Sequence, residues 1–367
     1  MNRTRLVFVG GFLGAGKTTL LWRAAELLAG RGQRVGLITN DQAPDLVDTK
    51  FLTEHGLTVR EVAGSCFCCN FNGLIDAAAD LRSLDVDVLI GEPVGSCTDL
   101  SATILQPLKD RFRGEFVLSP LSVLADPQRL RDVLSDRGDV LHASAAYIFR
   151  KQLEEADLLV VNKIDTVTPE ERRCLEQLVA DRFPEAAVRF LSARTGDGVE
   201  SWLDEVLSTD RSGSRVLDVD YDIYAEGEAV LGWLNVDIQL SAVAGQIDWR
   251  AFCGDLLSGL QAKFHERHAR IGHVKLLLTT VGGCYAGNLT GPDSDPILQG
   301  RIDGSPSQAN LILNARVEMP PEELERIVRD LLAKVGGRRV QIDILDLRSL
   351  RPGRPQPTHR YGTVVEP

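Results

Sequence analysis

A glycine-rich stretch near the start of the chain has the residue types and spacing of a phosphate-binding loop. The segment GGFLGAGKT contains Gly11, Gly16, Lys17 and Thr18 in the pattern G-x-x-x-x-G-K-[ST]. Glycines let backbone N–H groups turn towards phosphate oxygens, and the N-terminus of a following helix attracts the same charge. We therefore expect Lys17 to reach the β- and γ-phosphates of a nucleotide and Thr18 to ligate Mg²⁺. The predicted nucleotide-binding residues of this loop are Gly11, Gly14, Ala15, Gly16, Lys17, Thr18 and Thr19.

Two later segments carry groups suited to guanine. VVNKID places Asn162, Lys163 and Asp165 at the end of an apolar run. An aspartate carboxylate can accept hydrogen bonds from N1–H and the exocyclic amine of guanine, and adenine does not offer that pair of donors. Further along, FLSARTG contains Ser192 and Ala193, similar to the S-A-[KR] loop of GTPases, whose backbone supports the base. These residues favour GTP over ATP as the nucleotide.

An acidic residue follows another apolar run, in DVLIGEPVG. In P-loop proteins an acid at the end of such a strand holds Mg²⁺ or its water. We expect Glu92 to be that acid and to act in catalysis with Lys17. Gly95 is expected to offer its N–H to the γ-phosphate.

Three of the seven cysteines, Cys66, Cys68 and Cys69, lie close together in EVAGSCFCCNFNG. Thiolates are soft ligands suited to Zn²⁺, Co²⁺ or Cu(I). A tight C-x-C-C loop presents two or three sulfurs to one ion and leaves a position for an outside ligand, which suits transfer of a metal better than a closed four-cysteine site. Cys97 is a candidate fourth sulfur, although a small buried thiol is the favoured interpretation.

Composition limits the classes of function. The net charge of −11 argues against a general nucleic-acid binder, which needs a basic face. No stretch approaches the roughly 18 apolar residues of a membrane span. The apolar N-terminal stretch contains Lys17 and the phosphate-loop pattern, which argues against a signal peptide. We expect a cytoplasmic protein, in which clustered thiols stay reduced and bind metal or do chemistry.

The order of apolar runs predicts two domains. Residues 1–207 alternate apolar strands with amphipathic helices, which indicates an α/β P-loop domain with a parallel sheet covered on both faces. FVLSPLSVLAD is predicted to be one of its strands. Residues 208–221 are predicted to be a linker. Residues 222–348 follow the order strand–helix–strand–strand–helix–strand and are expected to form a smaller α+β domain, ferredoxin-like in type.

Two segments near the C-terminus have weaker patterns. His265 and His268 fall within a predicted helix, DWRAFCGDLLSGLQAKFHERHARI, and would share one of its faces as a candidate metal pair, although a solvated helix end is the favoured interpretation. Residues 349–367 form a basic, proline-rich tail, for which we expect a mobile terminus.

With these motifs assembled, residues 5–207 resemble the CobW-like family of P-loop GTPases, relatives of the hydrogenase and urease nickel-delivery GTPases. The matching segments are GFLGAGKTTLL, ITND, EVAGSCFCC, GEPVG and QLEEADLLVVNKID. The resemblance implies a metal chaperone or metalloenzyme activator with its metal at Cys66, Cys68 and Cys69. It also implies a nucleotide-dependent homodimer and a client metalloenzyme or cofactor protein. Four positions depart from the usual pattern of the family: Asp41 stands for a glutamate, Ser65 for a glycine, and Pro93 and Val94 for two hydroxyl residues.

The favoured hypothesis is that GTP with Mg²⁺ orders the segment 41–50 and the loop after Glu92, and that hydrolysis to GDP relaxes the C-x-C-C loop and releases metal, Zn²⁺ or Co²⁺. Asp41, Asp45 and Asp48 are candidates to orient the attacking water, and the sequence does not choose among them. Hydrolysis is expected to be slow, because no arginine finger is evident.

Three alternatives stay open from the sequence. The first is a GTPase switch that gates a corrinoid- or other cofactor-dependent enzyme without carrying metal. The second is a thiol redox sensor. The third is a small-molecule kinase, against which N-K-x-D argues.

Overall fold

The computed structural model describes residues 3–42, 47–135, 141–184, 186–291 and 295–366. The chain divides into two compact units, one of residues 1–42, 52–227 and 354–367 and the other of residues 43–51 and 228–353. These units differ from the predicted domains, because residues 47–51 belong with the second unit, whereas residues 208–227 and 354–366 belong with the first. Within the described ranges, no helix combines the length and the apolar character needed to cross a membrane.

The first unit contains a parallel sheet. Its strands are β1 (Thr4–Gly11), β2 (Val35–Asn40), β3 (Thr58–Val62), β4 (Val88–Glu92), β5 (Phe116–Leu118), β6 (Ser122–Ala125), β7 (Leu158–Val161) and β8 (Ala187–Phe190). They lie in the order β3-β2-β4-β1-β6-β7-β8, with β5 paired to the first part of β1. Strands β4, β6 and β7 are buried at every residue, which explains their unbroken apolar sequences. The predicted α/β fold is confirmed.

The helices of this part of the chain lie between these strands and after β8. They are α1 (Lys17–Gly30), α2 (Val47–Glu54), α3 (Phe71–Arg82), α4 (Gln106–Arg111), α5 (Pro127–Leu134), α6 (Ala143–Glu155), α7 (Pro169–Arg182), α8 (Val199–Ser208) and α9 (Tyr221–Ala229). Helix α3 begins after Asn70, whose side chain accepts from the N–H of Gly73 at 3.0 Å. Helix α7 begins with a capping box between Thr168 and Glu171.

The second unit is built on a six-stranded antiparallel sheet in the order β12-β11-β10-β13-β9-β14. The elements are β9 (Gly232–Ala242), α10 (Trp249–Glu266), β10 (Ile271–Thr280), β11 (Gly283–Leu289), β12 (Ile297–Ile302), β13 (Gln308–Val317), α11 (Pro321–Gly336) and β14 (Val340–Leu350). Apolar side chains of α10 and α11, such as Leu256 and Val328, join those of the sheet in one core. The predicted ferredoxin-like order is present, with the hairpin β11–β12 added at the edge of the sheet.

Two predictions about local structure are wrong. FVLSPLSVLAD forms two strands, β5 and β6, which pair with successive parts of β1. The interruption contains Pro120, which has no N–H to donate to a sheet. In addition, α10 ends at Glu266, and His268 has a positive φ of 52°. His265 and His268 therefore do not share a helix face, which argues against the candidate metal pair, and both are exposed at the end of the helix, as the favoured interpretation expected.

The prediction of a mobile tail is also wrong, because the tail is tied to the first unit by backbone hydrogen bonds. The N–H of Thr358 donates to the carbonyl of Cys68 at 2.8 Å, and that of Tyr361 donates to the carbonyl of Ala102 at 3.0 Å. The N–H of Val365 donates to Oε1 of Gln106 at 2.8 Å. These bonds offset the entropy of ordering the segment.

Helix α6 fixes the loop that follows β4. Nε2 of Gln152 donates to the carbonyls of Gly95 at 3.1 Å and Cys97 at 2.7 Å. At the end of the helix, the buried carboxyl of Glu155 accepts from Oγ1 of Thr98 and the N–H of Ser101, both at 3.2 Å. Loss of water around this carboxyl raises the pKa of Glu155 from 4.5 to about 8.

This pKa predicts how stability depends on pH. Glu155 ionises at lower pH in the unfolded chain than in the folded protein. Its contribution to the free energy of unfolding is therefore fully present below about pH 4.5 and is lost as the pH rises to about 8. The loss is on the order of 1.4 kcal/mol in the free energy of unfolding for each pH unit. Glu155→Gln mimics the protonated group and should remove this loss, so the variant gains stability over wild type as the pH rises.

The check is urea unfolding of wild type and Glu155→Gln at several pH values across this window. Glu154→Gln, at the adjacent and less buried position, is the control and should follow the wild-type pH dependence. A constant stability difference between Glu155→Gln and wild type at all pH values would contradict the prediction.

Candidate functional site

The phosphate-binding loop joins β1 to α1. Gly11, Gly14 and Gly16 all have positive φ values, of 125°, 77° and 93°, which favour glycine. A Cβ at Gly16 would lie 2.4 Å from Nδ2 of Asn162, so glycine is also required there for space. Nζ of Lys17 donates to the carbonyl of Gly11 at 3.0 Å.

The predicted magnesium ligands lie together at the end of β4. Oγ1 of Thr18 is 3.3 and 3.2 Å from the two carboxylate oxygens of Glu92. Nζ of Lys17 is 3.8 Å from the same carboxylate, and all three side chains are buried. A hydroxyl and a carboxylate are the oxygen ligands that Mg²⁺ prefers, so this pair fits the ion. Gly95 lies beside them, since a Cβ there would be 3.2 Å from Nζ of Lys17.

Asn162 connects the phosphate loop to the S-A-R segment. Its Nδ2 donates to the carbonyl of Ala15 at 2.8 Å, and its Oδ1 accepts from the N–H of Ala193 at 2.9 Å. Both loops are therefore fixed by one buried amide, which explains the need for asparagine.

Asp165 is held by the same S-A-R segment. Its carboxylate accepts from Oγ of Ser192 at 2.5 Å and forms an ion pair with Arg194. Lys163 has a positive φ of 59°, and its Nζ is 2.8 Å from the carboxylate of Asp126. Arg194 and Asp126 were not predicted as partners, although Arg194 belongs to the S-A-R segment and Asp126 directly follows the apolar run of β6.

The candidate water-orienting residues lie in different surroundings. Asp41 is buried directly after β2, and its Oδ1 accepts from the N–H of Gln42 at 2.7 Å. Asp48, in the second unit, forms an ion pair with Lys275 of β10, whose Nζ is 2.7 Å from both carboxylate oxygens. Asp45 lies outside the described residues.

The C-x-C-C segment forms a turn before α3. Oδ1 of Asn40 accepts from the N–H of Phe67 at 2.7 Å, and its Nδ2 donates to the carbonyls of Val62 at 2.7 Å and Ser65 at 2.8 Å. Asn40 therefore fixes this turn to the end of β2. The N–H groups of Cys69 and Asn70 donate to the carbonyl of Cys66, at 3.0 and 2.9 Å, which closes the turn.

The sulfurs of this turn lie close together. Sγ of Cys66 is 2.9 Å from that of Cys68, which is 3.8 Å from Sγ of Cys69. Cys97 joins them from the loop after β4, and the Sγ atoms of Cys66, Cys68 and Cys97 all lie within 4.8 Å of one another. Hydrogen bonds from the Cys68, Cys69 and Cys97 thiols hold the pKa of Cys66 well below its usual value. The cluster therefore favours one thiolate among thiols, a suitable start for a soft metal.

The tail covers one side of the same turn. The N–H of Gln356 donates to Sγ of Cys69 at 3.2 Å, and Oγ1 of Thr358 donates to the carbonyl of Cys69 at 3.0 Å. Nε of Arg360 lies 2.7 Å from Oδ2 of Asp99. No pattern in the sequence indicated these contacts.

Residues 5–189 match the family model described as CobW/HypB/UreG, nucleotide-binding domain. The chain belongs to this family. The chain is 31% identical over 188 residues to the zinc chaperone YeiR of Escherichia coli, covering 48% of this chain and 51% of that protein. It is 27% identical over 222 residues to the zinc chaperone CobW of Pseudomonas aeruginosa, covering 52% and 57%.

A third relative is zinc-regulated GTPase metalloprotein activator 1 of Dictyostelium discoideum, 24% identical over 208 residues, covering 48% of this chain and 43% of that protein. The chain thus spans about half the length of the curated relatives it matches. The predicted resemblance to the CobW family is confirmed.

In this member of the CobW/HypB/UreG family, we predict that Asp165 determines the preference for GTP over other nucleotides. Asp165→Asn replaces a carboxylate oxygen by an amide donor that cannot accept from guanine. Because a hydrogen bond to a charged group contributes roughly 1.5–3 kcal/mol, GTP affinity should fall by about tenfold or more. Xanthine has a carbonyl where guanine has the amine, so XTP affinity should rise.

Affinities for GTP, XTP and ATP are measured by competition against a fluorescent nucleotide. Asp181→Asn, an exposed position on α7, is the matched control and should keep the wild-type preference. Unchanged GTP affinity in Asp165→Asn would show that this carboxylate does not contact the base.

Proposed function

We propose that the protein hydrolyses GTP and couples hydrolysis to the binding and release of a transition metal, Zn²⁺ or Co²⁺, for a client metalloenzyme or cofactor protein. The observation that carries this proposal is that one structural unit holds both the Lys17–Thr18–Glu92 group and the cluster of cysteine thiols. The names of three relatives, two zinc chaperones and a zinc-regulated GTPase metalloprotein activator, support it.

In the proposed nucleotide site, backbone N–H groups of residues 11–19 and Nζ of Lys17 bind the phosphates. Thr18 and Glu92 would hold Mg²⁺, which supplies positive charge to the phosphate oxygens. The N–H of Gly95 contacts the γ-phosphate. Asp165, with Ser192 and Ala193 beside it, selects guanine.

For the attacking water we favour Asp41 over Asp48. Asp41 directly follows β2, at the same edge of the sheet as Glu92, since Thr39 is in register with Glu92. Both oxygens of Asp48 lie within hydrogen-bond distance of Lys275, which lowers its capacity to accept from water. We also propose that hydrolysis is slow in the isolated protein and that GTP promotes a homodimer.

The link between nucleotide and metal is proposed to run through two short connections. Asn40, next to Asp41, binds the backbone of the C-x-C-C turn, and the loop from Glu92 continues past Gly95 towards Cys97. A change in the contacts of Gly95 or Asp41 on loss of the γ-phosphate would therefore alter the turn that carries Cys66, Cys68 and Cys69.

The test is to measure GTPase rate and metal content together, in wild type and in a Cys66→Ser/Cys68→Ser/Cys69→Ser variant. Wild type purified without oxygen should bind about one Zn²⁺ or Co²⁺ per chain, and its GTPase rate should change with metal. The triple variant should lose the metal and the metal response while keeping GTP affinity. Cys174→Ser, an exposed cysteine on α7, is the control.

Two results would contradict the proposal. If wild type binds neither metal, with or without GTP, the protein does not carry metal, and a GTPase switch acting on a partner enzyme takes its place. If the triple variant retains both metal and metal response, the C-x-C-C cysteines are not the site.

A further inference from the structure

We propose that Cys97 is a metal ligand, and that the transition metal is held by Cys66, Cys68 and Cys97, with Cys69 outside this set. This inference rests on the proposed function and replaces Cys69 by Cys97 among the proposed metal ligands. It places one ligand on the loop that follows Glu92, the proposed magnesium ligand, and that contains Gly95, the proposed contact of the γ-phosphate.

The first argument is geometric. Cys66, Cys68 and Cys97 form a group of three buried thiols whose Sγ atoms lie within 4.8 Å of one another. Sulfurs bound to one tetrahedral Zn²⁺ at about 2.3 Å lie about 3.8 Å apart. Small side-chain shifts therefore bring these three sulfurs onto one ion, and a fourth position is left for an outside ligand.

The second argument is that Cys69 differs from these three. Cys69 is half-buried, whereas Cys66, Cys68 and Cys97 are buried. Its Sγ accepts a hydrogen bond from the N–H of Gln356 in the tail, and its carbonyl accepts from Thr358. Cys69 thus lies on the side of the turn that the tail covers, and its sulfur is outside the group of three that lie within 4.8 Å of one another.

The third argument separates Cys97 from an ordinary buried thiol. Cys253 is such a thiol: it lies among apolar side chains of the second unit, and burial raises its pKa to about 12. The sulfur of Cys97 instead lies against two other sulfurs. A group of three neighbouring sulfurs is the set of ligands that soft metal ions prefer.

The fourth argument is that the loop of Cys97 is preorganised. The N–H of Cys97 donates to the carbonyl of Val94 at 2.9 Å, and its own carbonyl accepts from Nε2 of Gln152. Gln152 also binds the carbonyl of Gly95. One side chain of α6 therefore fixes both the residue expected at the γ-phosphate and the proposed ligand, which couples nucleotide contact directly to metal coordination.

The experiment is anaerobic Co²⁺ titration of the full chain, because sulfur-to-cobalt charge-transfer absorbance scales with the number of Co–S bonds. Wild type should show three such bonds. Cys97→Ala should lose about a third of the absorbance and at least tenfold in Zn²⁺ affinity, measured by chelator competition, since loss of a residue that only hydrogen-bonds a metal ligand already costs about 10–100-fold. Cys69→Ser and Cys253→Ala should keep the wild-type absorbance.

The outcomes separate this inference from the proposed function. If Cys97→Ala keeps the full sulfur-to-cobalt absorbance and Cys69→Ser loses part of it, Cys97 is not a ligand. The metal site would then consist of the C-x-C-C cysteines alone. Absence of Co²⁺ and Zn²⁺ binding in wild type would overturn the proposed function itself. Binding of fluorescent GTP by Cys97→Ala, and by Cys97→Ser as a second variant, establishes that each is folded.

Discussion

The parallel register of the first sheet is the constraint on which the candidate site depends. Strands β1, β2, β4, β6, β7 and β8 all end at one edge, and polar residues directly follow three of them, Asp41 after β2, Asp126 after β6 and Asn162 after β7. This edge is where open α/β sheets bind their ligands. Residues far apart in the sequence, such as Lys17, Glu92 and Asn162, are thereby brought together without long loops.

Two buried asparagines turn this arrangement of strand ends into a connected site. Asn162 binds the phosphate loop and the S-A-R segment, and Asn40 binds the backbone of the C-x-C-C turn. Each uses both the donor and the acceptor of its amide on the backbone. Replacing either by an apolar residue would leave buried backbone groups without partners, at a cost of about 1–3 kcal/mol for each group.

Much of the fold and of the nucleotide site could be predicted from the sequence, because those features depend on local patterns. Buried parallel strands have continuous apolar sequences, and the phosphate loop has fixed spacing set by backbone geometry. The division of one apolar run into β5 and β6 followed from Pro120, whose effect was overlooked. The end of α10 before His268 depends on a positive φ that the helical pattern of the sequence did not indicate.

The features that could not be predicted are side-chain partnerships between distant residues. The ion pair of Asp48 with Lys275 joins residues 227 positions apart, and the bond from Gln356 to Cys69 joins residues 287 apart. For each residue of such a pair, the adjacent residues in the sequence do not indicate which distant residue it will contact. Cys97 was interpreted as a small buried thiol for the same reason, since its proximity to Cys66 and Cys68 exists only in the folded chain.

The tail also contacts the loop that carries Cys97. Arg360 binds Asp99, a carboxylate whose Oδ1 has no hydrogen-bond partner in the part of the chain that is described and whose pKa is raised by burial. Asp99 lies on the same loop as Cys97, so the loop is fixed by α6 through Gln152 and by the tail through Arg360. In the proposed coupling between nucleotide and metal, a loop held at Gly95, Cys97 and Asp99 would carry a shift that begins at Gly95 to Cys97.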